Sequence, residues 1–417
     1  MLPSARICCL DLDTFFVSVE RLLDPSLEGK PIIVGGRKGS RGVVTCASYE
    51  VRKLGVRSGM PMAEASRLAP NAIYLPTRHD TYGPYAAQVR EILERFTPVV
   101  QTASIDEFFL DFRGCDRLYQ RAQDADADAA IERVVRQMCD AIHAEVGLPA
   151  SAGIATSRMV AKIGSGLAKP KGVLLVRAGF ERKALAALPV RKVPGIGPQT
   201  EARLLKAGIQ TLGQLLGLPS GRARARFGAL ADSIGRTLDA PRVHQLGADR
   251  PAFLEHDAES TVGSISNERT FFDDVGDPTV LEAQLRMLAE RVCWRARQKG
   301  VRACTVGLKL RYFDFDTLTR HLTIPPTDHE ANIYAAVMAL YARARTRSVP
   351  IRLLGVQLSH FVGADPQIDL PFQGAARPPR PRPGQAIDQV RERFGYDAIR
   401  LGAVDDPSRW IRHHGAA

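Results

Sequence analysis

Three carboxylates in two distant apolar runs hold the most chemistry in this chain. Asp11 stands in Ile7-Cys8-Cys9-Leu10-Asp11-Leu12-Asp13-Thr14-Phe15-Phe16. Asp106 and Glu107 stand in Ala103-Ser104-Ile105-Asp106-Glu107-Phe108-Phe109-Leu110-Asp111. Both runs have the β-branched and aromatic content of strands. A carboxylate in such a strand is costly to bury unless a cation or hydrogen bonds compensate it. Hard cations such as Mg²⁺ take a few carboxylate oxygens together with substrate phosphates. The pattern therefore predicts a two-metal phosphoryl-transfer site made by Asp11, Asp106 and Glu107. A helix cap or a polar turn is the ordinary explanation for an isolated acidic pair. In a straight strand Asp106 and Glu107 would face opposite ways. Both reach one site only if the chain bends at Ile105–Asp106. Asp13 and Asp111 read as structural.

The elements that must position these groups follow from periodicity. A strand over 6–12 leads into a helix from Phe15 to Leu23, with Phe16, Val19 and Leu23 on one face. Short strands at 31–34 and 43–46, helices at 47–55 and 62–68 and a strand at 73–75 make a small α/β insertion. An amphipathic helix over 82–95, a hairpin over 99–112, a helix over 131–146 and a strand over 150–154 come next. Ser157 caps a further helix to Leu167. Strand, helix, hairpin, helix and strand in this order suggest a ferredoxin-like sheet in an α+β protein.

Residues 170–188 read as a transition. The turn Pro194-Gly195-Ile196-Gly197 then lies between two helices, with its N–H groups at a helix N-terminus. Such a turn can hold a backbone phosphate without reading sequence. Its surroundings up to Asp239 are strongly basic, with Lys and Arg far outnumbering Asp and Glu. Residues 241–258 read as a linker. A second domain from Glu259 has the order strand, helix, two strands, helix, strand, with Val306, Leu308, Leu310 and Tyr312 on one face and Lys309 and Arg311 on the other. The tail, 364–417, holds the apolar island Gln367-Ile368-Asp369-Leu370-Pro371-Phe372, an Arg/Pro spacer over 377–383 and a helix over 388–400 with Ile387, Val390 and Phe394 on one face.

Composition narrows the class. The 417 residues are 45% hydrophobic and 24% charged, an ordinary globular balance with room for several domains. The net charge of +12 is not ordinary and points to an anionic partner, most simply nucleic acid. Seven cysteines without a Cys-x-x-Cys pair argue for reduced thiols rather than disulfides or a zinc site. No stretch reaches membrane-span length, so the expectation is a soluble cytoplasmic protein with no membrane partner.

With these stretches in hand, the chain resembles the Y-family translesion DNA polymerases, most closely the bacterial DNA polymerase IV type. The resemblance is carried by Asp11 to Glu20, Ser48 to Val56, Ser104-Ile105-Asp106-Glu107, Ala161-Lys162-Ile163, Ala168-Lys169-Pro170 and Val193-Pro194-Gly195-Ile196-Gly197. It runs through the first 240 residues or so by motif, and through the second domain by pattern. It implies a right hand: a palm of 1–12 and 78–167, fingers of 13–77, a helical thumb of 168–240 with a helix-hairpin-helix, a linker of 241–258, a little finger of 259–363 and the tail.

The resemblance also implies roles. Asp11 and Asp106 would bridge two Mg²⁺ ions, Glu107 would join the catalytic one, and the Leu12 carbonyl would bind the nucleotide-side ion. Tyr49, Arg52 and Lys162 match triphosphate contacts. Cys46, a weaker donor, stands where the family usually has Thr. Phe16, with Phe15 beside it, falls at the steric gate that excludes a ribose 2′-hydroxyl. Gly195 and Gly197, with Lys309 and Arg311, would grip the template–primer backbone. Arg343, Arg345 and Arg347 are further candidates for phosphate contacts in the second domain. Gln367, Leu370 and Phe372 resemble a sliding-clamp peptide. The expected substrates are deoxynucleoside triphosphates, and the expected state is a monomer. A short fingers insertion rich in small residues implies an open pocket and low fidelity. A non-catalytic DNA-binding scaffold and a nucleotide cyclase are the competing readings. The intact carboxylates argue against the first, and the basic thumb-like segment with its turn against the second.

Overall fold

A computed structural model describes residues 6–219, 221–238, 262–363 and 383–399. Its chain divides into two units, Met1–Ala258 and Glu259–Ala417.

In the first unit the elements run β1 (Ile7–Leu12), α1 (Phe15–Leu23), β2 (Ile32–Gly35), β3 (Cys46–Ala47), α2 (Tyr49–Arg52), α3 (Met62–Leu68), β4 (Ile73–Pro76), α4 (His79–Glu94), β5 (Val99–Thr102), β6 (Glu107–Asp111), α5 (Asp116–Tyr119), α6 (Ala127–Val146), β7 (Ala150–Ala155), α7 (Arg158–Ala168) and β8 (Val173–Leu175). A helical stretch follows: α8 (Glu181–Leu185), a 3₁₀ turn (Val190–Lys192), α9 (Pro198–Lys206), α10 (Leu212–Leu216) and α11 (Arg222–Leu238). The main sheet has the order β5-β6-β1-β7-β8, and a small sheet, β3-β2-β4, belongs to the insertion.

The main sheet is buried on both faces, and strand alternation decides what each face receives. Cys8, Leu10 and Leu12 of β1 join Phe108 and Leu110 of β6 in a core with α1, α4 and α6. Ile7, Cys9 and Phe109 turn the other way, into a core with α7 and the helices that follow. By the same alternation Asp11 and Glu107 stand on the α7 face. Helix α7 is N-capped by Ser157, whose side chain accepts from Val160 N–H, as its sequence predicts.

Several elements differ from their sequence expectations. β8 pairs in parallel with β7, Ala152 opposite Val173, so the main sheet continues past the boundary expected at Leu167. Three residues are too few to show a period. The strand expected at 43–46 is reduced to an isolated bridge, Val43 to Pro61, and the pair Cys46–Ala47. A 3₁₀ turn, not an α-helix, precedes the Pro194–Gly197 turn.

The second unit is β9 (Ser264–Val275), α12 (Pro278–Gln298), β10 (Val301–Tyr312), β11 (Thr317–Thr327), α13 (Glu330–Ala344) and β12 (Ile351–Gly363), followed by α14 (Pro383–Phe394). Its sheet has the order β11-β10-β12-β9. Val306, Leu308, Leu310 and Tyr312 enter the core under α12 and α13, as their alternation predicts. The tail helix begins and ends earlier than 388–400 and docks on α12. Arg391, 2% exposed, pairs with Glu290 at 3.2 Å. Asp388 holds Arg297 at 2.6 Å, and Trp294 packs against Tyr396. Phe394, expected on the buried face, is exposed. Asp388 and Arg391 tie this helix to α12, with Ile387 and Val390 of the apolar stripe half-buried.

Candidate active site

The three carboxylates meet at one end of the main sheet. Asp11 and Glu107 are direct cross-strand partners. Asp106 lies in the four-residue loop of the β5–β6 hairpin, where the chain bends. There the Leu12 N–H donates to the Asp106 carbonyl at 2.9 Å, and the Ala103 N–H donates to the Glu107 carbonyl. The bend removes the alternation that would have sent Asp106 and Glu107 to opposite faces.

Two lysines answer the charge. Lys162, one turn into α7, donates to Glu107, and Lys169, just past the end of α7, donates to Asp11. Burial raises the Asp11 carboxyl above its ordinary value; Lys169 opposes that shift, and Asp106 and Glu107 add to it. The same surroundings silence Cys9. Burial, then Glu107, pushes its thiol up to about 12, so it is no nucleophile at neutral pH. Lys169 is the residue that sequence reasoning left out of the site. Its motif was visible, but its partner lies 158 positions away.

The three carboxylates offer only oxygen donors, which suits a hard divalent cation. A buried carboxylate that draws in ammonium groups is a site built to be neutralised by cations. In the folded chain Asp11 and Glu107 spend their charge on lysines, Asp106 accepts from Ser104, and no group of three or more acidic, His or Cys side chains forms a closed metal cluster among the described residues. A metal there would compete with Lys162 for both Glu107 oxygens and with Lys169 for Asp11 Oδ1.

Tyr49, at the start of α2, points its hydroxyl into this site. It donates to Asp13 at 3.0 Å, and burial followed by Asp13 raises its pKa. Asp13 is 1% exposed and also accepts from Ser151 and from the Lys171 N–H, each at 2.8 Å. Its structural reading is thus given a content: it ties α2, β7 and the turn after α7 to the end of β1. Arg52 donates to the Ala47 carbonyl and lies 5.3 Å from the Tyr49 ring centroid. Cys46 is buried, and burial raises its thiol pKa against the opposing effects of the Val17 backbone, Arg52 and the Phe16 backbone. The neighbouring Thr45 hydroxyl pairs with Thr77 at 2.9 Å.

Phe16 is 9% exposed and stacks on Tyr82, with centroids 4.1 Å apart and planes 14° apart. Phe15, 3% exposed, packs inside against both rings and serves the core. Farther along, Val193 and Ile196 are buried beneath the glycine turn, leaving Gly195 and Gly197 exposed with Gly195 at φ 88°. Gly197 is the N-cap of α9. In the second unit Lys309 is paired with Glu268 at 2.9 Å, while Arg311 bonds the neutral Thr317 hydroxyl and keeps its charge. Among the further candidates, Arg347 pairs with Asp314 and Arg345 bonds the Tyr341 hydroxyl and the Gly276 carbonyl. Gln367, Leu370 and Phe372 lie outside the described residues.

A double-faced sheet that presents carboxylates at its hairpin end, with an α/β insertion and a basic helical segment beside it, is the architecture of a right-hand polymerase. Comparison with known proteins agrees. The impB/mucB/samB family model matches residues 10–166, and that family's C-terminal domain model matches 262–370. A DNA polymerase IV of Dehalococcoides mccartyi strain CBDB1 is 36% identical over 95% of this chain and 97% of its own. A DNA polymerase IV 2 of Mesorhizobium japonicum is 37% identical over 97% and 95%. Among solved structures, a Y-family DNA polymerase chimera superposes with a TM-score of 0.70 at 24% identity, covering 85% of this chain and 99% of that one. DinB from Sulfolobus solfataricus has a TM-score of 0.53, also at 24% identity, over 85% of this chain and 98% of its own. The chain belongs to the Y-family of DNA polymerases, the impB/mucB/samB family, in its DNA polymerase IV branch. That membership implies a divalent metal cofactor.

Proposed function

We propose that this chain extends a primer with deoxynucleotides at the site of Asp11, Asp106 and Glu107, using two Mg²⁺ ions. Template-directed DNA synthesis of low fidelity, past damaged bases, is the activity of its family. The observation that carries the residue assignment is the cross-strand pair Asp11–Glu107, flanked by Lys162 and Lys169. Asp11, Asp106, Glu107 and the Leu12 carbonyl would hold the ions. When bound, these would lower the pKa of the primer 3′-hydroxyl and neutralise the leaving pyrophosphate. Once Lys162 and Lys169 let go of the carboxylates, their ammonium groups are placed to take triphosphate oxygens as point charges. Arg52 can grip the phosphates bidentately from α2. Tyr49 borders the same space, oriented by Asp13. Phe16 sits beneath the deoxyribose and leaves no room for a 2′-hydroxyl. The test is primer extension, with and without a template strand. Incorporation that follows the template base supports the reading; a cyclised nucleotide made without template overturns it.

Each unit offers DNA a surface of its own: on the first, the exposed turn at Gly195 and Gly197 with the exposed Arg191, Lys192, Arg203 and Lys206; on the second, the polar face of its sheet. Cross-strand register lines up Thr305, Gly307, Lys309 and Arg311 with Thr323, His321, Thr319 and Thr317. Six basic side chains on phosphates would give a salt slope of about −5 and weaken binding by roughly 10³-fold between 50 and 200 mM salt. Fluorescence anisotropy on a primed hairpin reads this slope, and a flat profile would remove the basic groove.

The protein is taken to work as a cytoplasmic monomer that docks on a sliding clamp through Gln367, Leu370 and Phe372. Apolar anchors in a short peptide suit a groove on a partner. Retention of this chain by immobilised clamp is expected to disappear when Leu370→Ala and Phe372→Ala are combined; unchanged retention would discard the peptide.

A further inference from the structure

We propose that Glu20 is a positioning residue for sugar selection, acting through Tyr82 on the ring of Phe16. The proposal rests on Phe16 as the ring beneath the sugar. Glu20 lies four residues beyond Phe16 on α1, on the same side of the helix. It is 3% exposed, a carboxylate inside a core that an apolar side chain would fill more cheaply. Nothing in nucleotide addition itself uses it.

Its partners explain its presence. The Tyr82 hydroxyl donates to Glu20 Oε1 at 2.7 Å and accepts the Arg78 backbone N–H at 3.3 Å. The Arg78 guanidinium bonds both oxygens of Glu20 and balances its charge. A hydroxyl that donates once and accepts once, at the end of a 0%-exposed side chain, fixes the ring to which it is attached. That ring is the plate against which Phe16 stacks, 4.1 Å away and 14° from parallel. His79 meets the Phe16 ring nearly edge-on, at 87°. Phe16 is therefore backed, not merely buried. Exclusion of one hydroxyl group needs an immovable wall, because a ring that can retreat by a fraction of an ångström admits the ribose. Glu20 keeps the wall from retreating.

A purely structural role would lower activity with both sugars alike. Positioning changes their ratio. The experiment uses the full chain on primed template with Mg²⁺ and measures kcat/KM for one deoxynucleotide and the matching ribonucleotide. Phe16→Ala is expected to raise the ribonucleotide share by roughly 100-fold, and Glu20→Ala and Tyr82→Leu by roughly tenfold. Glu20→Gln keeps the wild-type ratio, because its amide oxygen still accepts from Tyr82. An unchanged ratio in Glu20→Ala, with a raised ratio in Phe16→Ala, overturns the relay and leaves the gate standing. An unchanged ratio in Phe16→Ala overturns the gate itself. If Glu20→Ala does not fold, Tyr82→Phe decides, since it keeps the ring and removes only the hydroxyl. A raised ratio there supports the relay, and the wild-type ratio ends it.

Discussion

Asp106→Asn is expected to lower the rate of nucleotide addition by roughly 10³-fold, through loss of charge at the transition state, while fold and DNA affinity stay near wild type. The two halves of this expectation have separate causes. The backbone of Asp106 does the structural work: its carbonyl takes the Leu12 N–H at 2.9 Å, and asparagine keeps that bond. Among the described residues its side chain bonds Ser104, in a loop on the rim of the sheet, so the stability change should stay within about 0.5 kcal/mol. The charge, however, is one of three that act together. Asp106 and Glu107 both raise the Asp11 carboxyl, which shows that the groups share one field. Removing one charge weakens any cation the others hold. Single-turnover extension measures the chemistry, anisotropy the DNA affinity and thermal unfolding the fold. Extension at more than about a tenth of the wild-type rate would take Asp106 out of the site.

How much of this site could be read in advance depends on the range of the interaction. The strand over 6–12 that carries Asp11 was legible from its apolar, β-branched run. The bend at Ile105–Asp106 followed from demanding that two adjacent carboxylates serve one site. The βαββαβ order of the second unit was legible because its strands are long, eleven to thirteen residues each. Beyond the three carboxylates, pairings across the chain were not legible. Glu20 is polar by type and was left off the helix face that Phe16, Val19 and Leu23 define; its partner Tyr82 is 62 positions on. Lys309 carried a positive charge in the sequence, but its cross-strand neighbour Glu268 lies two strands away, beyond Gly355. The docking of α14 through Arg391 and Glu290 reversed the usual rule that arginine faces solvent. Each of these is a polar contact between distant residues, and periodicity reports only apolar burial.

Gly153→Ala is expected to destabilise the first unit by about 3 kcal/mol. The reason is space, not backbone freedom, since Gly153 is not among the residues with positive φ. A Cβ there would lie 2.1 Å from the Ala161 carbonyl oxygen and 2.3 Å from the Ser165 amide nitrogen, both backbone atoms of α7. No rotamer change relieves such a contact; the helix must lift from the sheet. Without the clash, alanine for glycine would stabilise by about 0.4–1 kcal/mol through the unfolded chain, so the sign of the result reports the packing. Gly166 supplies the comparison. It lies in the same helix with nothing within 4 Å of its Cβ position, and Gly166→Ala should raise the urea midpoint by about 1 kcal/mol of stability. Lifting α7 also has a chemical cost. The helix carries Lys162 to Glu107 and Ser165 to Cys9, so the folded fraction of Gly153→Ala should bind the triphosphate more weakly, seen as a higher KM. Equal urea midpoints for Gly153→Ala and the unsubstituted chain would show that α7 does not sit this close to β7, and the placement of Lys162 beside Glu107 would fall with it.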